Sequence, residues 1–170
     1  MPFSPKYLEQ FESVAIDNVL MVIQRDFKAA LDAFYPSDNL ADFAQRTVGN
    51  IFQLALPAFA VEPSTGGADE SEQYEQSPLK LNLYLAVEDA DPTNAVRAAV
   101  KYTRTARSVL KTCPLSDFTT GLSPNNVFGI VRELTWQYGQ PAKKTNQDAI
   151  SANGWIVPVQ LQLLLKYSER

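Results

Sequence analysis

The chain contains no histidine. That excludes the Ser-His-Asp and Cys-His nucleophilic arrangements and the common zinc sites, which depend on an imidazole. Cys113 is the single cysteine. No disulfide can close within the chain, which fits a reducing compartment such as the cytoplasm. Long apolar runs are missing too. The longest, Val19 to Ile23, falls far short of the roughly 20 residues that cross a bilayer. The opening Met1-Pro2-Phe3-Ser4-Pro5 leads into the charged stretch Lys6 to Glu12 rather than a secretory signal pattern. The expectation is a soluble protein, made and used without secretion and without a membrane partner. Gly66-Gly67 is not followed by lysine and a helical pattern, so no phosphate-cradling loop is present. An excess of basic charge is also lacking. Fifteen Lys and Arg against 19 Asp and Glu give a formal net charge of −4, which argues against a dedicated nucleic-acid binder.

What is present reads as one domain. The 170 residues are 45% hydrophobic and 20% charged, enough to bury a core and too apolar for wholesale disorder. From Lys6 to about Ala33, Leu8, Phe11, Ala15, Val19 and Val22 recur at helical spacing, with a bend or break allowed near Gln24-Arg25-Asp26. Leu40 to Val61 is ambiguous. Ile51 to Val61 suits a buried strand, or a short helix and then a strand, and Pro57 places that strand at an edge or divides the segment. Ser64 to Ser77 reads as a mobile acidic hairpin excursion carrying Asp69, Glu70, Glu72 and Glu75. Leu79 to Val87 alternates strictly, the mark of a half-buried strand. Asp91 and Pro92 announce a helix that runs to about Thr112 and is closed by Pro114. Ala95, Ala98, Ala99, Tyr102, Ala106, Val109 and Leu110 share its apolar face.

After the long connection Pro114 to Asn126, Val127 to Tyr138 reads as a strand. It places Phe128, Ile130, Leu134 and Trp136 on one face, interrupted by Arg132. A polar loop, Gly139 to Gly154, leads to a last strand from Trp155 to Tyr167. Thirteen residues at about 3.3 Å each would span roughly 43 Å. Pro158 points to an edge or a bulge there; a bent strand paired wholly within its own sheet is the alternative. The order predicts an α+β fold, a mainly antiparallel sheet covered by helices.

Few residues invite chemistry. Cys113 ends a basic helix, where Lys111 could activate it, but no base accompanies it and a passive thiol is expected. Glu88, Asp89 and Asp91 cluster, yet helix capping and the helix dipole account for them without a metal. No catalytic residue, metal or cofactor is expected. The most informative feature is the other face of the second helix. Arg97, Lys101, Arg104, Arg107 and Lys111 fall within an arc of roughly 120°. A solvated face is one reading; an electrostatic contact is the other, with an acidic surface favoured over DNA.

The leading amphipathic helix, the apolar segment Leu56-Pro57-Ala58-Phe59-Ala60-Val61-Glu62-Pro63, the strand Leu79 to Glu88, the helix Pro92 to Thr112 and two closing strands follow one another along most of the chain. In element order this resembles the tail terminator and neck proteins of tailed bacteriophages. The resemblance rests on element order and brings no residue motif with it. It implies a non-enzymatic virion protein, assembled in the host cytoplasm, that forms a ring of its own copies, often a hexamer. Such a ring caps the tail tube and joins it to a head-side neck or connector protein, with DNA passing through the lumen without sequence recognition. Ser64–Ser77 and Gly139–Gly154 would then be natural contact loops, with Asp69, Glu70, Glu72 and Glu75 of one subunit facing Arg97, Lys101 and Arg104 of the next. The alternatives are a different head–tail completion protein, a cytoplasmic adaptor that binds through a sheet edge, and a small enzyme with carboxylate or hydroxyl chemistry.

Overall fold

The computed structural model describes residues 11–49, 55–64, 77–122, 127–143 and 154–169. The acidic residues of 65–76 and the distal part of the 139–154 loop lie outside them. Helix α1 spans Phe11–Phe34, strand β1 Gln45–Val48, β2 Ala58–Pro63 and β3 Ser77–Asp89. Helix α2 spans Pro92–Thr112, a 3-10 turn Leu115–Thr119, β4 Val127–Tyr138, β5 Ala142–Lys143 and β6 Trp155–Glu169. The strands form one sheet in the order β1-β2-β3-β6-β4, with β5 also paired to β6. Among the described strands only β1 and β2 run parallel. This is the expected α+β class.

The sheet buries one face under the helices. Leu79, Leu81, Leu83, Leu85 and Val87 of β3 are buried, as are the alternate residues Val157 to Tyr167 of β6. The period of two set these faces. α1 packs against α2, the 3-10 turn and the β1–β2 end, while α2 covers β3 and β6. An aromatic cluster fills the α1 side. Phe27 stacks on Phe43 at 4.2 Å between ring centroids, and Tyr102 and Phe59 complete the group. Small residues Ala95, Ala99 and Ala106 are fully buried and let α2 lie close to the sheet.

The N-terminus of α2 follows its sequence signals. The Asp91 carboxylate accepts from the backbone N–H of Thr93 at 2.7 Å and Asn94 at 3.1 Å, and Pro92 occupies the first turn. The C-terminus is held by a residue distant in sequence. Arg132 of β4 donates from Nη1 to the carbonyls of Leu110 at 3.0 Å and Cys113 at 2.5 Å. A cation on free carbonyls at a helix C-terminus satisfies orphan acceptors and opposes the helix dipole. That is why a charge interrupts the apolar face of β4.

Two expectations need correction, and two readings left open are narrowed. The last strand is not an edge: β3 pairs along its length on one side, β4 and β5 on the other. Pro158 is tolerated because its missing N–H faces the gap between β4 and β5. Its carbonyl, on the same side, accepts from Gly139 N–H at 2.7 Å. Phe128 lies on the face opposite Leu134 and Trp136, because a register shift between Phe128 and Val131 inserts a bulge. Gly129, at φ +65°, supplies the left-handed backbone there. α1 continues without a break through Gln24-Arg25-Asp26. Arg25 bonds Asp26 and, at 2.7 Å, Asp117 of the 3-10 turn, so the charged step is an outward-facing tether. Pro57 stands just ahead of β2, which is an interior strand between β1 and β3, so it marks no edge; Ile51 to Leu54 lie outside the described residues.

Tyr102 makes the core sensitive to alkali. Its hydroxyl donates to the Ala41 carbonyl. Burial, then the negative charge of Asp42, pushes its pKa from 10.0 up to about 12. The fold therefore favours the neutral phenol. The stability this contributes is complete below about pH 10 and lost as pH rises through about 12. Tyr102→Phe should cost about 1 kcal/mol for the hydrogen bond at neutral pH. It should also flatten the alkaline loss, read from urea midpoints at about pH 8 and about pH 11.

Candidate functional site

The two edges of the sheet differ. β1 is four residues long and polar, Gln45-Arg46-Thr47-Val48, with Arg46 paired to Asp42. A short charged edge discourages pairing with another chain. β4 is twelve residues long, and among the described residues no strand pairs with its outer side. Four of its side chains are large, apolar and exposed: Phe128, Val131, Trp136 and Tyr138, each more than 40% accessible. Val96 and Val100 of α2 are similarly exposed.

The register decides which backbone groups of β4 are open. Gly139 N–H bonds the Pro158 carbonyl, which makes that a hydrogen-bonded pair. Antiparallel pairs alternate, so Gln137 and Thr135 also turn their N–H and C=O groups toward β6. Leu134, Trp136 and Tyr138 turn theirs outward. Their side chains lie on the helix-covered face, opposite Leu163, Leu161 and Val159. Among the described residues, a row of unpaired main-chain donors and acceptors thus runs beside the flank of α2.

The basic face of α2 borders this edge and is partly engaged within the molecule. Lys101 pairs with Asp38. Arg104 lies over the Phe34 ring at 4.9 Å and Arg107 over the Trp136 ring at 3.2 Å, favourable cation–π placements. Arg97 and Lys111 are exposed. No carboxylate pairs with Arg97, Arg104, Arg107 or Lys111 among the described residues. The structure keeps these cations on one helix face but divides them, with Arg104 turned toward the end of α1 and Arg107 toward β4. Asp69, Glu70, Glu72 and Glu75 lie outside the described residues.

Other candidate groups have local partners. Cys113 is buried, and desolvation raises its thiol pKa despite Arg132 Nη1 at 3.3 Å from Sγ. Burial outweighs the nearby positive charge, which favours the neutral thiol over the thiolate. Asp89 accepts from Asp91 N–H, and Asp91 caps α2. Among the described residues no three His, Cys, Asp or Glu side chains converge on a metal position, and no helix is long and apolar enough to cross a membrane.

The open edge lies on β4, a strand legible from its alternation. Its position at the end of the sheet was not legible, since strand order is a tertiary property. No family model and no characterised protein sequence matches the chain.

Proposed function

We propose that this chain is a structural subunit of a tailed-bacteriophage neck, one that closes into a ring of its own copies, caps the tail tube and joins tail to head. The open outer edge of β4, with Trp136 and Tyr138 exposed beside it, is the observation that carries the assembly part of this reading. Long apolar-flanked edges are aggregation hazards unless another chain covers them. The neck assignment rests on the order of elements from α1 to β6.

In this role the sheet is scaffold and the chain performs no turnover. Its partners are neighbouring copies, the tail tube protein and a head-side connector, with DNA passing through the lumen. Electron microscopy of the purified protein, alone and with tail tubes, tests this. Rings, free or seated on tube ends, are the expected result. Single particles that neither close nor bind tubes would overturn it, and an adaptor that captures a foreign strand on the same edge would then be the better account.

A further inference from the structure

We infer that the outer edge of β4 is a strand-addition site whose occupant is the acidic stretch around Glu70-Ser71-Glu72 of a second copy of this chain. The inference rests on the assembly reading above and adds the seat, the segment and the pattern of contacts.

The seat follows from the register. An added strand would bond the outward main-chain groups of Leu134, Trp136 and Tyr138. Its residues opposite these three would point to the helix side, as those three do. They would enter the strip between β4 and α2. Arg107 marks that side of α2, because its guanidinium stacks on Trp136. Val96 and Val100 lie within about 40° of Arg107 around the helix and are exposed. The strip therefore offers apolar surface and a cation together.

Charge chooses the occupant. Two copies joined edge to edge through β4 would bring two cationic α2 flanks side by side. α2 carries no acidic residue of its own. Like charges facing each other oppose that symmetric pairing. An acidic strand suits the flank instead, and the sequence holds one. Asp69, Glu70, Glu72 and Glu75 fall within seven residues. In an extended chain Glu70, Glu72 and Tyr74 share one face. That face brings a carboxylate to Arg107 and an aromatic ring to Val96, Val100 and Trp136. Because this contact joins different surfaces of the two copies, it is head-to-tail and can close a ring.

The test is sedimentation velocity of the full chain at low and high salt, with circular dichroism melts to confirm folding. Trp136→Lys places a charge on the edge and should reduce assembly at least tenfold with an unchanged melt. Arg107→Glu should reduce it comparably at low salt, as should Glu70→Lys with Glu72→Lys. Combining all three reversals should restore most of the loss. Wild type that assembles while Trp136→Lys assembles equally well would remove the seat and leave the ring reading standing. Loss in Trp136→Lys, with the acidic reversal behaving as wild type, would overturn the choice of segment. A wild type that stays monomeric would refute both. Should any variant fold poorly, a synthetic peptide spanning residues 67–77 competes for the same edge on the wild-type protein. Dissociation of the assembly is the expected result, and an unaffected assembly overturns the inference.

Discussion

Phe27→Ala is expected to lower unfolding stability by about 3–5 kcal/mol, the cost of removing a large aromatic from a core that collapses only partly. Phe27 is fully buried on α1. Its ring stacks on Phe43 at 4.2 Å and lies 5.6 Å from Tyr102. Three elements therefore lose contacts at once: α1, the segment leading to β1, and α2. Native stability is about 5–15 kcal/mol, so this one change removes a large share of it. The check is urea denaturation. The midpoint should fall sharply, with the slope nearly unchanged if folding stays two-state. Exposed Gln24→Ala, on the same helix, is the control and should stay within about 0.5 kcal/mol of wild type.

Gly139→Ala is the second large effect. An added Cβ would sit 2.6 Å from Pro158 Cγ and 2.8 Å from the Pro158 carbonyl oxygen. The oxygen belongs to the interior strand β6, so it cannot retreat without shifting β3 as well. The same oxygen accepts the Gly139 N–H at 2.7 Å, and separating the strands lengthens that bond. Overpacking of this kind costs about 1–3 kcal/mol, and the weakened hydrogen bond adds about 1 kcal/mol. Thermal denaturation should show the loss. Gln140→Ala, exposed one residue further on, should show little.

The Pro158 region also shows where sequence reading stops. A proline within a long strand implied an edge or a bulge, and that rule concerns a missing donor. The donor is indeed missing, but toward a local gap where β4 gives way to β5, inside an otherwise complete ladder. The local rule held, and of the readings left open it is the strand paired wholly within its own sheet that the structure shows. β3 and α2 were legible because alternation and capping are local signals, and Leu79 to Val87 and Asp91-Pro92 carry them strongly. β1 was not legible: Gln45-Arg46-Thr47-Val48 has no apolar periodicity and becomes a strand only by pairing with β2.

Asn18 was missed for a related reason. It lies on the buried face of α1 and donates to the carbonyls of Phe118 at 2.6 Å and Thr120 at 3.1 Å, a hundred residues away. Nothing near it in sequence announces that role. Phe118 itself, fully buried, converts part of the long connection after Pro114 into a packed 3-10 turn.

The basic face of α2 was legible in full as a face, because five residues at helical spacing suffice to place it. Its division of labour was not. Lys101 and Arg104 turn toward the end of α1, while Arg107 turns toward β4. Each choice depends on aromatic or acidic neighbours brought up by other elements. That division places the α2 flank nearest β4 in the proposed interface and leaves Lys101 a structural partner of Asp38.

The mass of the assembly in solution tests the central claim most directly. Native mass spectrometry or light scattering over a wide concentration range should give one discrete multiple of the 18.9 kDa subunit, larger than a dimer and constant once formed. A hexamer is the multiple that the resemblance implies. A mass that stays at one subunit throughout, or stops at two, would contradict a ring. So would a series that grows without limit as concentration rises, since head-to-tail contacts that fail to close make filaments.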